Sequence, residues 1–139
     1  GHMSQTLTGA LIVICKSNPL TNIIQTGEVF NSQISSQLLE TIFFKNTPLH
    51  DGALIIAEGE IKAARCILPV SNNQSIPVSM GLRHRSAIGI TEQTDAISII
   101  VSEQTGKISV AKQGKVTQGL TLTELQQYLN NEFNEETTA

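Results

Sequence analysis

Apolar residues fall along this chain in short blocks separated by turn chemistry, and their period changes from block to block. Residues 7–15 carry the near-continuous apolar run TGALIVIC, rich in β-branched side chains, which predicts a buried strand. Lys16-Ser17-Asn18-Pro19 ends it with turn residues. Residues 22–27 have a weak pattern that suggests a short extended piece. Ile34, Leu38, Leu39, Ile42 and Phe43 then recur at helical spacing, while Ser32, Ser35 and Gln37 fall off that stripe. This predicts an amphipathic helix with Asn31 or Ser32 as its N-cap. Pro48 forbids its continuation, because the residue before a proline avoids the helical region.

The second half repeats the alternation of strand and turn. Residues 53–57 predict a second strand and residues 61–68 a third, joined through Glu58-Gly59-Glu60 as an antiparallel hairpin. A polar loop over 69–77 has the length of loops that cover sites. Residues 81–90 fit a helix that begins near two arginines. Strands are predicted at 96–101 and 107–111 around the turn 102–106, with a further turn at 112–115. Thr121-Leu122-Thr123-Glu124 has the form of a capping box and opens a C-terminal helix carrying Leu122, Leu125, Gln126 and Leu129. Residues 134–139 are polar and read as a frayed tail. The sum is an α+β chain: one domain with a central mixed, largely antiparallel sheet flanked by helices.

Composition narrows the function. The chain has 139 residues, 40% of them hydrophobic, which suits one domain with one core. Nine Lys plus Arg against twelve Asp plus Glu give a net charge of −3, which argues against coating a nucleic acid. Cys15 and Cys66 each sit inside an apolar run, so both read as buried, reduced thiols, and their spacing fits no zinc site. No run reaches the roughly 18 apolar residues of a membrane span, and no signal peptide is visible. Gly1-His2-Met3 resembles the scar of a cleaved tag. The domain is therefore expected to occupy residues 4–133, cut from a longer protein.

Two polar knots interrupt these blocks. The first is Thr47-Pro48-Leu49-His50-Asp51-Gly52-Ala53, at the mouth of a predicted buried strand, where α/β proteins place sites. The second is Gly81-Leu82-Arg83-His84-Arg85-Ser86. Taken alone, Asp-Gly is a common turn and Arg-His-Arg a solvated basic patch. Together they carry complementary chemistry. Arginine offers a planar fork for phosphate oxygens, and a helix N-terminus adds N–H groups to the same anion site. His50 and Asp51 suit a divalent ion bridging such phosphates. Neither a Walker A motif nor a GxGxxG fingerprint is present. Spacing alone leads to a metal- and phosphate-binding site and no further.

The segments TPLHDGALII, GLRHRSAIGITEQTDA and IIVSEQTGKISVAKQG contain Asp51-Gly52-Ala53 and Arg83-His84-Arg85. In these the chain resembles the diadenylate cyclase domain, the family that makes cyclic di-AMP from two ATP, and within it the membrane-anchored branch. The likeness runs over residues 8–129. It implies ATP as substrate and a divalent metal (Mn2+, Mg2+ or Co2+). Asp51 would help activate the ribose 3′-hydroxyl, with His50 and Glu103 as further metal ligands. Gly52 and Ala53 would pass close to the nucleotide, and Arg83, His84 and Arg85 would hold the triphosphate. Leu68 would meet adenine through its backbone, and Ser102 and Glu103 would line the phosphate side.

The resemblance further implies a face-to-face homodimer or higher oligomer, no nucleic-acid partner, and a membrane anchor outside this sequence. Two positions depart from the family pattern. Leu82 stands where many members have a threonine that touches phosphate, and Ile67 where some carry an aromatic beside adenine. The alternative reading is a catalytically weak nucleotide-binding regulatory module.

Overall fold

The computed structural model describes residues 10–33, 52–74, 76, 81–101 and 107–138. Among them, seven strands form one sheet: β1 (Ala10–Ile14), β2 (Glu28–Gln33), β3 (Ala53–Ala57), β4 (Glu60–Cys66), β5 (Ile97–Val101), β6 (Ile108–Lys112) and β7 (Lys115–Leu120). Three helices accompany them: α1 (Thr21–Ile24), α2 (Leu82–Gln93) and α3 (Leu122–Thr138). The strand order is β2-β4-β3-β1-β5-β6-β7. Only β1 and β3 run parallel; every other pairing is antiparallel. The expected mixed, largely antiparallel α+β domain is what the chain forms.

Strands β1 and β3 are continuous apolar runs, and β5 is one but for Ser98, because both of their faces are covered. On one face Leu11, Val13, Ala53, Ile55, Cys66 and Ile100 pack with Ala87 and Ile90 of α2. On the other, Leu54, Ile61, Ile97, Ile99 and Val110 form a second cluster, against which Leu125, Tyr128, Leu129 and Phe133 of α3 pack. Cys15 and Cys66 are free, buried thiols, as their apolar surroundings predict.

The hairpin β3–β4 and the helix at the arginines fall where the pattern puts them. The capping box closes in both directions: the Thr121 N–H donates to Glu124 Oε1 at 2.9 Å and the Glu124 N–H to Thr121 Oγ1 at 3.0 Å. The backbone stays helical to Thr138, through the polar residues expected to fray.

Three expectations change. Residues 21–24 form a helical turn where an extended piece was expected. Asn18 Oδ1 accepts the Leu20 N–H at 2.9 Å, Leu20 takes φ 55°, and the Ile24 N–H then donates to the Leu20 carbonyl. Asn31 and Ser32, the expected N-cap, lie inside β2; Ser32 pairs with Ile61, across an irregularity that sets Asn31 at φ 67°. Pairing with β4 overrides their capping preference. The helix predicted from Ile34 to Phe43 lies outside the described residues. Strand β7 was not expected, because Lys115-Val116-Thr117-Gln118-Gly119-Leu120 is a mostly exposed edge with little apolar signal.

An ion cluster pins α3 to the sheet. Glu132 accepts from Lys112 at 2.6 Å and from Lys16 at 3.2 Å, and the Lys16 ammonium lies 5.6 Å from the Phe133 ring centroid. Burial alone would raise the Glu132 pKa; the bonds from Lys112 and Lys16 outweigh it and bring it below the usual 4.5. A carboxylate held down in the folded state contributes stability above its unfolded pKa and loses it as pH falls through the folded value. Glu132→Gln should therefore destabilise at neutral pH by about 1–3 kcal/mol. The gap to wild type should narrow as pH falls past the ordinary glutamate value of about 4.3 and close as it passes the lowered folded value. Denaturant midpoints at several pH values check this; a gap that does not change with pH would remove the charge from the account.

Candidate active site

Helix α2 places the second polar knot, and hydrogen bonds to two other segments hold α2 in position. Gly81 caps it in an extended conformation, with φ −80° and ψ −174°. The Ser71 N–H donates to the Arg85 carbonyl at 3.1 Å, joining the first turns of α2 to the segment after β4. Thr91, buried at the far end, donates to the Ala87 carbonyl at 2.8 Å and accepts the Gly114 N–H at 3.1 Å from the β6–β7 turn. The start of α2 thus lies over one end of the sheet. The first residues of β1, β2 and β3 and the last residues of β4, β5 and β7 meet at that same end.

A cavity of about 1050 Å³ opens there. Gly52 and Ala53 line it from the start of β3, and Gly81, Leu82, Arg83 and His84 from the start of α2. Ile67 and Leu68 line it from the segment after β4. The two knots, thirty residues apart in sequence, therefore share one space of a size that takes a nucleotide-like ligand. Gly52 is required by its backbone: φ is +81°, and a Cβ would stand 2.8 Å from the Arg65 carbonyl carbon. Leu68 is buried, whereas Ile67 and Leu82 are each 69% exposed on the wall. Arg85 is half-buried and is not among the lining residues. His50, Asp51, Ser102 and Glu103 lie outside the described residues. Their chain neighbours Gly52 and Val101 both line the cavity. Among the described residues no cluster of three His, Cys, Asp or Glu side chains could hold a metal.

Sequence reasoning did not single out Thr26, Gly27, Glu28, Arg65 or Gln118, all of which line the cavity. Thr26 Oγ1 accepts the Ile67 N–H at 2.8 Å and so fixes the strand exit. A Cβ at Gly27 would stand 2.2 Å from the Ala64 carbonyl oxygen, so only glycine allows β2 this close to β4. Glu28 and Arg65 face each other at 3.6 Å, with Arg65 at φ 59°. None of these belongs to a local motif; the pairing of β2 with β4 assembles the first four, and the pairing of β7 with β6 brings Gln118.

Burial pushes the Cys66 thiol up to about 11, with partial opposition from hydrogen bonds to Thr26 and Gly27, so it stays protonated. Burial lowers the His84 pKa from 6.5, so its imidazole is neutral near pH 7. An arriving polyphosphate favours the charged form and raises that pKa again. Binding of a polyphosphate should therefore take up protons below about pH 6.5. Without ligand, His84 should cost stability as pH falls from 6.5 through its lowered folded value, since the unfolded chain binds the proton more readily there. Calorimetry of polyphosphate binding in buffers of different ionisation enthalpy measures the uptake; none in wild type, or the same uptake in His84→Gln, would free His84 of this role.

A family model described as the DisA bacterial checkpoint controller nucleotide-binding domain matches residues 1–116. The cyclic di-AMP synthase CdaA of Bacillus subtilis is 46% identical over 136 residues, 98% of this chain and 50% of that protein. The diadenylate cyclase of Listeria monocytogenes (strain 10403S) is 44% identical over 95% of this chain and 48% of its own length. Among solved structures, a double mutant of DacA from Staphylococcus aureus superposes with a TM-score of 0.89 at 43% identity, covering 94% of this chain and 87% of that one. A hypothetical membrane spanning protein from Bacillus cereus superposes with a TM-score of 0.81 at 39% identity, over 86% of this chain and 59% of that one. The chain spans about half the length of the curated relatives it matches.

Proposed function

The chain belongs to the diadenylate cyclase family, and on that premise we propose that it condenses two ATP into cyclic di-AMP with release of two pyrophosphates. The observation that carries this reading is the single cavity lined by both Gly52-Ala53 and Arg83-His84. Each ribose 3′-hydroxyl attacks the α-phosphorus of the other ATP, and the bond to pyrophosphate breaks. Asp51 takes the hydroxyl proton. Arg83 and the N–H groups at the start of α2 stabilise charge on the phosphates, with Arg85 as a further candidate. Gly52 and Ala53 let the nucleotide approach the backbone, and Leu68 and Ile67 wall the base end.

Asp51, His50 and Glu103 would hold a divalent ion such as Mn2+, Mg2+ or Co2+. Their carboxylate and imidazole donors suit these ions, and Gly52 and Val101, beside Asp51 and Ser102 in the chain, both line the cavity. Such an ion, when bound, lowers the pKa of a hydroxyl and offsets phosphate charge. One cavity presents one ATP, so two domains must face each other, which makes the working unit a homodimer or higher oligomer. No helix among the described residues is long and apolar enough to cross a membrane. We place any membrane anchor in the part of the relatives' length that this chain does not match; a full-length sequence without an apolar span would end that idea.

Incubation with ATP and Mn2+, followed by mass analysis, tests the reaction: cyclic di-AMP supports it, and bound but unchanged ATP favours a nucleotide-binding module instead. Leu82 is the observation on that side, since it presents an exposed apolar side chain at the first turn of α2. Arg83→Ala should weaken ATP binding by about 1.5–3 kcal/mol, the loss of one charge-assisted bond. Unchanged affinity by calorimetry would contradict its place on the phosphates.

A further inference from the structure

We propose that Gln118, on the edge strand β7, is a further substrate contact that holds the terminal phosphates of the nucleotide. This rests on the reading of the cavity as an ATP site. Strand β7 carries an extra residue at this point: Thr117 pairs with Val110 and Leu120 with Ile108, so Gln118 and Gly119 together oppose Ser109. Such a bulge bends an edge strand and re-aims a side chain, and bulges recur beside active sites. Gly119 makes it possible by taking φ +73°, and a Cβ there would meet nothing within 4 Å, so its backbone conformation alone calls for glycine.

The bulge sits at the end of β7 that lies on the cavity side, because β7 runs parallel to β5 across β6. Gln118 lines the cavity, exposed, and has no hydrogen-bond partner among the described residues.

Position decides which part of the ligand it meets. Arg83 and the start of α2 line the same cavity as Gln118. The base-side wall of Ile67 and Leu68 follows β4, on the opposite side of β1 and β3. A nucleotide with its base at Ile67 and Leu68 extends its other end across β3 and β1 toward the β7 side, where Gln118 stands. Its amide is a neutral donor, which can hold a phosphate oxygen without trapping the pyrophosphate as a further cation would.

Calorimetry of the 139-residue chain with ATP and with AMP, for wild type, Gln118→Ala and Gln118→Glu, tests the assignment. Both substitutions are on an exposed edge and should leave the thermal midpoint in place. ATP affinity should fall about tenfold in Gln118→Ala, as for one hydrogen bond to a charged group. It should fall further in Gln118→Glu, where an anion faces phosphate, and most at low salt. AMP, which lacks the terminal phosphates, should bind all three proteins alike. Equal losses for ATP and AMP, or no loss in Gln118→Glu, would overturn the assignment while leaving the ATP site standing. A wild type that binds neither nucleotide would overturn both.

Discussion

Replacing Asp51 by Asn should abolish cyclic di-AMP formation while leaving ATP binding largely in place. A ribose 3′-hydroxyl is a poor nucleophile, and the Asp51 carboxylate is the group proposed to take its proton and to hold the metal. Loss of a general base alone costs a factor of roughly 10²–10⁴, and loss of the ion adds to it. The affinity should survive because Arg83 and the start of α2 approach the triphosphate from another element. Turnover within tenfold of wild type would remove Asp51 from the chemistry.

The same variant tests the dimer. A pair with one Asp51→Asn protomer makes at most one of the two bonds and stalls at a linear dinucleotide. If subunits exchange freely and a fraction f is wild type, cyclic product follows f squared and the linear species peaks at intermediate f. A straight line in f, with exchange verified separately, would mean that one competent face suffices.

The core strands were legible because burial on both faces writes itself as an apolar run: Leu11 to Ile14, Leu54 to Ile56 and, broken only by Ser98, Ile97 to Val101 need no context to be read. The capping box at Thr121 and Glu124 is equally local, since both of its bonds span three residues. The rest depends on partners far away in sequence. Strand β2 exists because β4 is beside it, so Asn31 and Ser32, good caps in isolation, become strand residues. Strand β7 has a single row of neighbours and exposes most of its side chains, and with so little burial it leaves no period to detect.

The candidate site divides in the same way. Gly52, Arg83 and His84 stand in short motifs whose residue types announce phosphate chemistry. Arg85 belongs to the same motif but is not among the residues that line the cavity. Thr26, Glu28, Arg65 and Gln118 reach the cavity only through sheet pairing and through the irregularities at Arg65 and Gly119, which no local pattern encodes.

Gly89→Ala should both destabilise the protein and weaken ATP binding, although the position is in the middle of a helix. Helix propensity alone predicts the opposite, a gain of about 0.8–1.0 kcal/mol when Ala replaces Gly. Packing reverses the sign. A Cβ at Gly89 would stand 2.1 Å from the Pro69 carbonyl oxygen and 2.9 Å from both the Pro69 carbonyl carbon and the Ser71 nitrogen. All three are backbone atoms, so no side-chain rotation relieves the overlap. Either α2 moves outward or the segment after β4 does. Forcing one carbon into a packed site costs about 1–3 kcal/mol, enough to exceed the propensity gain.

The movement also separates the two halves of the site. The Ser71 N–H to Arg85 carbonyl bond of 3.1 Å spans the same contact, and Arg83 and His84 face Ile67 and Leu68 across the cavity it holds together. ATP affinity should therefore fall in a variant with no altered ligand-facing group. Gly81→Ser, at the cap of the same helix, where a Cβ meets nothing within 4 Å, provides the comparison and should leave stability unchanged or slightly raised. Chemical denaturation and ATP titration of both variants decide the matter. A Gly89→Ala protein that gains stability by the propensity increment and binds ATP as wild type does would mean that α2 is not clamped against Pro69 and Ser71, and that something else fixes the arginines over the sheet.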